Sequence, residues 1–170
     1  FTGSIESREG GKTGISAADR SLTIKTAINK HALSSDITTP GHVFPLIAKD
    51  GGTLIRAGHT EAVVDIAKLA NSNPSGVICE IMNDNGEMAR LPDLVKFSKK
   101  HNIKIGSISD LISHRRKNET FITRVSESIL ESKFGGDWRI IVFKNIIDNS
   151  EHMALIKGVI DTKDNILVRV

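Results

Sequence analysis

Apolar and polar positions divide the chain into two regions. Between Gly41 and Glu61, a short apolar run (Val43, Phe44, Leu46, Ile47) leads to a Gly51-Gly52 turn, and a second strand-like run ends in Arg56. The period then changes: Ala62, Val63, Ile66, Leu69 and Ala70 recur every three or four residues, which predicts a helix over about 61–70. Upstream, Phe1, Gly3 and Ile5 alternate as a strand, and Ser16 with Asp19 marks a helix start before Leu22, Ile24, Ala27 and Ile28. Downstream, residues 71–76 form a turn, and Val77-Ile78-Cys79-Glu80-Ile81-Met82 reads as a strand buried on both faces. Residues 83–86 make a tight turn. Pro92 then opens a helix carrying Leu94, Val95 and Phe97. Ile103 and Ile105 suggest another strand, and Ser109 a cap for a short helix through Leu111 and Ile112. Strands alternating with helices argue for an α+β fold, an α/β-like layered mixed sheet with flanking helices.

From about Asn118 the pattern is β-rich. Phe121 to Val125, Trp138 to Phe143, Met153 to Ile160 and Ile166 to Val170 read as strands, with a turn at Phe134-Gly135-Gly136-Asp137 and Trp138 anchoring the hairpin. The expected division is therefore residues 1–117 and 118–170. Phe1 begins inside an alternating pattern without an initiator methionine, and Val170 stops in mid-strand, so the chain is expected to be part of a longer protein.

Composition narrows the class. A hydrophobic fraction of 39% with 25% charged residues is ordinary for a soluble domain. No apolar run approaches the roughly 18 residues of a membrane span, no signal peptide opens the chain, and no membrane partner is expected. The single cysteine, Cys79, cannot form an internal disulfide, in keeping with a cytoplasmic protein. In the apolar run its thiol is expected to be buried and unreactive. A formal net charge of +3, with basic residues mostly scattered, gives no basic stripe for nucleic acid and suits anionic small substrates.

Candidate chemistry gathers at the junction before the helix of 61–70. Unpaired backbone N–H groups and the positive end of a helix dipole attract anions, and arginine adds a fork of donors for phosphate or carboxylate. Arg56, Ala57, Gly58, His59 and Thr60 are thus candidate phosphate-binding residues. Residues 8–14 form a glycine-rich loop ending in Gly11-Lys12-Thr13-Gly14, but Glu6 stands where a nucleotide P-loop needs glycine. Ser16 and Asp19 there either cap a helix and nothing more, or accompany Thr13 and the Gly14 backbone beside a ligand phosphate. Glu80 is a carboxylate in an apolar run. It is either a structural ion-pair member or an acid–base group of shifted pKa. His42 stands where a turn enters a strand, either bonded to backbone or available for proton transfer. Asp65 is expected to be solvated or to stand behind the site.

The motifs TGISAADR, GHVFPL, RAGHTEAVVD and GVICEIMNDNGEMARLPDL, in the arrangement found here, resemble 3,4-dihydroxy-2-butanone 4-phosphate synthase from Phe1 to about Arg116. The segment from Phe134 to Val170 resembles the start of a GTP cyclohydrolase II domain. The resemblance implies conversion of D-ribulose 5-phosphate to 3,4-dihydroxy-2-butanone 4-phosphate and formate, in a homodimer, with a divalent cation, Mg2+ or Mn2+. It implies that His42 and Glu80 are catalytic, that His59 is a metal ligand, and that Thr13 and Glu80 lie by the substrate. The family's second metal ligand, a glutamate of an ENEGD-like loop, has no counterpart after Phe1, so the metal site is expected to be half built. The competing reading is a non-catalytic sugar-phosphate-binding or dimerising module attached to the cyclohydrolase-like domain.

Overall fold

The structure, a computed structural model, describes residues 1–161 and 165–170. It divides into two compact units, Phe1–Arg115 and Arg116–Val170. The α+β class expected from the pattern holds, and the sheets formed by the described residues are small and antiparallel.

In the first unit, β1 (Ile5–Ser7) pairs antiparallel with β2 (Ile37–Val43). The register jumps from Ile5↔Val43 to Glu6↔Thr38, so Thr39 to His42 bulge out of the ladder. Helix α1 (Ala17–Ala27) packs on this pair through hydroxyls: Thr23 Oγ1 accepts the Ser7 N–H at 3.0 Å and donates to the Asp19 carbonyl at 3.0 Å. The expected cap is present, with Ser16 Oγ accepting the Asp19 N–H at 3.1 Å. Helix α2 (His59–Leu69) forms where the period predicts, but its buried residues are Glu61, Ala62 and Asp65, while Ile66 and Leu69 are exposed. Pro92 lies in the first turn of α3 (Leu91–His101), which ends at Asn102 in a left-handed conformation. Helix α4 (Ile108–Asn118) is capped by Ser107, not Ser109: Ser107 Oγ accepts the Asp110 N–H at 3.1 Å.

Three expected strands of this unit are not formed. The run ending in Arg56 curls instead into a 3₁₀ turn at Gly52–Leu54. Gly51 (φ 84°) and Gly52 (φ 63°) turn the chain, and Asp65 Oδ2 takes the Thr53 N–H at 2.8 Å and the Thr53 hydroxyl at 2.7 Å. That donor is therefore lost to any ladder. Val77–Met82 forms no strand and is unpaired apart from a bridge between Met82 and Met88, leaving Val77 70% and Met82 65% exposed. Ile103 and Ile105 likewise join no ladder and are exposed. An apolar run buries both faces only when neighbouring strands flank it, and the described residues supply none here.

The second unit is an antiparallel meander, β3 (Ile122–Ser132), β4 (Gly136–Asn145) and β5 (Glu151–Ile156), in that spatial order. Each strand is placed by the period-2 pattern, although β3 runs beyond Val125 and β5 stops at Ile156. Ile141 on the central strand is buried. Trp138 anchors the β3–β4 turn as expected: its Nε1–H donates to the Phe134 carbonyl at 3.1 Å, and Lys157 Nζ sits 5.7 Å from its ring centre. Residues 166–170, expected as a strand, have no ladder partner among the described residues.

Candidate active site

The junction at α2 is built around Glu61. This residue is 0% exposed, and its Oε1 accepts the Lys49 N–H at 3.0 Å. Both carboxylate oxygens receive Arg56 NH1, at 3.1 and 3.3 Å. Burial works to raise the Glu61 pKa. Hydrogen bonds from the Lys49 N–H, from its own N–H and from the Arg56 guanidinium outweigh burial and hold the carboxyl below its ordinary value. Arg56 is thus fixed at one nitrogen while its side chain stays 59% exposed, leaving other guanidinium donors open to a ligand.

Gly58 is the N-cap of α2 and offers no side-chain cap. A Cβ there would stand 2.6 Å from Glu61 Oε2 and 3.3 Å from Arg56 NH1, so a larger residue would press on the pair. His59 and Thr60 occupy the first two helical positions, whose N–H groups have no intrahelical acceptor. Arg56, Ala57, Gly58, His59 and Thr60 therefore surround one uncapped helix start, as the sequence suggested. Glu61, which organises it, was not among the expected site residues. Its signal was an acid at the third helical position five residues after an arginine.

Behind the junction, Asp65 is buried at 3% exposure, which is the second of the two placements expected for it and not the solvated one. Besides Thr53, it accepts Arg115 NH1 at 2.9 Å, and the same nitrogen donates to the Gly51 carbonyl at 2.8 Å. This clamp ties the 3₁₀ turn, α2 and α4 together.

At the glycine-rich loop, Asp19 takes the donors that a phosphate would need. Its carboxylate accepts the N–H groups of Lys12 (3.3 Å), Thr13 (3.2 Å) and Gly14 (3.1 Å), and the Thr13 hydroxyl at 3.4 Å. Burial acts to raise the Asp19 pKa, but these bonds and that from Ser16 lower it overall. Thr13, expected beside the substrate, spends both its donors on Asp19 in this conformation.

His42 pairs with Glu6, its Nδ1 lying 3.1 Å from Oε2. Glu80 is exposed, contrary to the burial expected, and so is Cys79, whose thiol was expected to lie inside. Both follow from the missing ladder around 77–82. His59 is exposed at the helix start, and no group of three or more His, Cys, Asp or Glu placed to hold a metal occurs among the described residues. Magnesium demands several oxygen ligands in near-octahedral geometry, so these residues do not by themselves make its site.

Together these features define an α+β unit whose uncapped, arginine-flanked helix start suits an anion, followed by an antiparallel meander. Residues 1–114 match the family model of 3,4-dihydroxy-2-butanone 4-phosphate synthase, and residues 123–170 match that of GTP cyclohydrolase II. The chain belongs to the 3,4-dihydroxy-2-butanone 4-phosphate synthase family and runs into the start of a GTP cyclohydrolase II domain. It is 46% identical over 170 residues to riboflavin biosynthesis protein RibBA of Endomicrobium trichonymphae, covering all of this chain and 42% of that protein. Among solved structures it is similar to RibBX, a two-domain 3,4-dihydroxy-2-butanone 4-phosphate synthase from A. baumannii. That likeness has a TM-score of 0.79 and 45% identity over 92% of this chain and 46% of the other. A 3,4-dihydroxy-2-butanone 4-phosphate synthase in complex with two magnesium ions is also similar, with a TM-score of 0.62 and 33% identity over 69% of this chain and 60% of the other. The chain spans less than half the length of RibBA and of RibBX.

Proposed function

We propose that this chain forms part of a riboflavin-biosynthesis lyase that converts D-ribulose 5-phosphate to L-3,4-dihydroxy-2-butanone 4-phosphate and formate. In this reading residues 1–117 are the synthase domain and residues 118–170 begin a GTP cyclohydrolase II-like domain, in a cytoplasmic homodimer. The observation that carries it is the Arg56–Glu61 junction at the open start of α2, in a unit whose residues 1–114 match the family.

The substrate phosphate binds Arg56, the Gly58 to Thr60 backbone and the Thr60 hydroxyl. Remote binding energy at the phosphate is thereby spent on orienting the sugar. The reaction needs no oxidant, because a five-carbon sugar phosphate divides into a four-carbon phosphate and formate. It does need repeated proton transfers, for enediol formation, dehydration and rearrangement. His42 and Glu80 are assigned to these transfers, since imidazole and carboxylate side chains can accept and return a proton to a bound substrate. His59 is assigned as one ligand of a divalent cation, Mg2+ or Mn2+, which when bound supplies positive charge to substrate oxygens. The residues described do not complete that cation's site, so no step is drawn through it.

Formate release from D-ribulose 5-phosphate with magnesium, in the full chain beside His59→Ala and Glu80→Ala, tests the reading. Turnover in the full chain and its loss in both variants are expected. A folded protein that binds the sugar phosphate but releases no formate would instead be a binding module.

A further inference from the structure

Glu6 entered the sequence reading only as the residue that spoils a P-loop, yet the fold gives it a specific partner. The register jump between β1 and β2 sets Glu6 opposite Thr38 while Ile5 pairs with Val43, and the excess residues on β2 deliver His42 to the Glu6 carboxylate. The Nδ1–Oε2 distance is 3.1 Å, with Glu6 22% and His42 43% exposed at their side chains. An ionised carboxylate only accepts hydrogen bonds, so Nδ1 carries the proton, and in the neutral ring Nε2 is left with its lone pair.

Glu6 is in turn held from above. A Cβ on Gly14 would fall 1.2 Å from Glu6 Oε1, so the loop backbone lies directly on the carboxylate, and Gly14 has φ 77° besides. Asp19 pins that loop through the N–H groups of Lys12, Thr13 and Gly14. The glycine-rich loop, which looked like a phosphate cradle, is a brace for a carboxylate.

We infer that Glu6 is a positioning residue that fixes His42 in the tautomer with Nε2 free to exchange protons with substrate, and that the Asp19-pinned loop holds Glu6 in place. The inference rests on the reading of His42 as an acid–base residue. A carboxylate that orients a histidine acts through that histidine, so its removal should lower turnover more than substrate affinity.

The test is 1H–15N correlation spectroscopy of the histidine rings in the full chain, at a pH where imidazole is neutral, alongside steady-state formate release. The wild-type His42 ring is expected as the Nδ1–H form. Glu6→Ala should move it toward Nε2–H and lower kcat roughly 10- to 100-fold with KM nearly unchanged, part of the about 10²- to 10⁴-fold that a placed proton-transfer group contributes. Glu6→Gln, whose carbonyl still accepts the Nδ1 proton, should keep the tautomer and lose less. A wild-type ring in the Nε2–H form, or one that ignores Glu6→Ala, overturns the proposal. Full activity in His42→Asn overturns the acid–base reading instead, and the two failures are distinct because the ring signal would still follow Glu6.

Discussion

Helices α1 and α2 each carry a carboxylate at the third helical position, Asp19 and Glu61, and the two leave opposite surroundings. Asp19 turns back onto the preceding loop and satisfies three of its N–H groups, while Ser16 caps the helix. Nothing at that helix start is left for a ligand phosphate among these donors. Glu61 takes one loop N–H and one arginine nitrogen, and the N-cap, Gly58, contributes no side chain. The start of α2 therefore keeps its N–H groups and gains a half-free guanidinium. Both sequences look like anion sites, glycine followed by a helix. What separates them is where the backbone donors already go.

The largest expected contrast is in substrate binding. Arg56→Ala should weaken D-ribulose 5-phosphate binding about 10- to 100-fold, the loss of a charge-assisted contact. Thr13→Ala, whose hydroxyl serves Asp19, should change it by less than about threefold. Titration calorimetry on the two variants decides, and equal losses would erase the distinction between the helices.

Gly58→Ala comes next, since its Cβ would press on both Glu61 and Arg56. It should cost roughly 10-fold in the same titration while leaving α1 protected in hydrogen exchange.

Glu61→Ala removes the acceptor of both the Lys49 N–H and Arg56 and should cost about 1–3 kcal/mol in urea unfolding. The pH dependence follows from the same bonds. Both carboxyls titrate below their ordinary values in the folded state, so their stabilising contribution is complete above about pH 4–4.5. It is lost as the pH falls through the lowered folded values, because there the unfolded chain binds the proton first. Glu61→Gln should flatten the acid limb of stability against pH, and an unchanged limb would show that the pairing contributes nothing there.

The smallest effect is Ser16→Ala, about 1 kcal/mol for one lost cap. No counterpart exists at Gly58, where a serine cap would collide with Glu61.

Local signals carried far in this chain. Ser16 with Asp19, the period of α2, Pro92 and the β-rich character after Asn118 all found their elements, because each rests on contacts within a few residues. Two of the missing strands share one origin. Val77–Met82 and Ile103–Ile105 were read as strands from apolar content, which describes a strand only where a neighbour pairs with it. The exposure of Cys79 and Glu80 follows from that missing neighbour. Of the site, the Arg56 to Thr60 junction was legible as a helix start beside an arginine, but the carboxylates that organise it were not.

The sequence by itself determined where helices begin, which faces of them are apolar, and that an arginine and a histidine flank an open helix start. Those properties arise from interactions three or four residues apart. Only the tertiary structure decided which acid meets which donor. Glu6 reaches His42 from 36 positions away, and Arg115 reaches Asp65 from 50. Hydrogen-bond partnership between distant segments depends on register and close approach of backbones, and neither is written in the local order of residues.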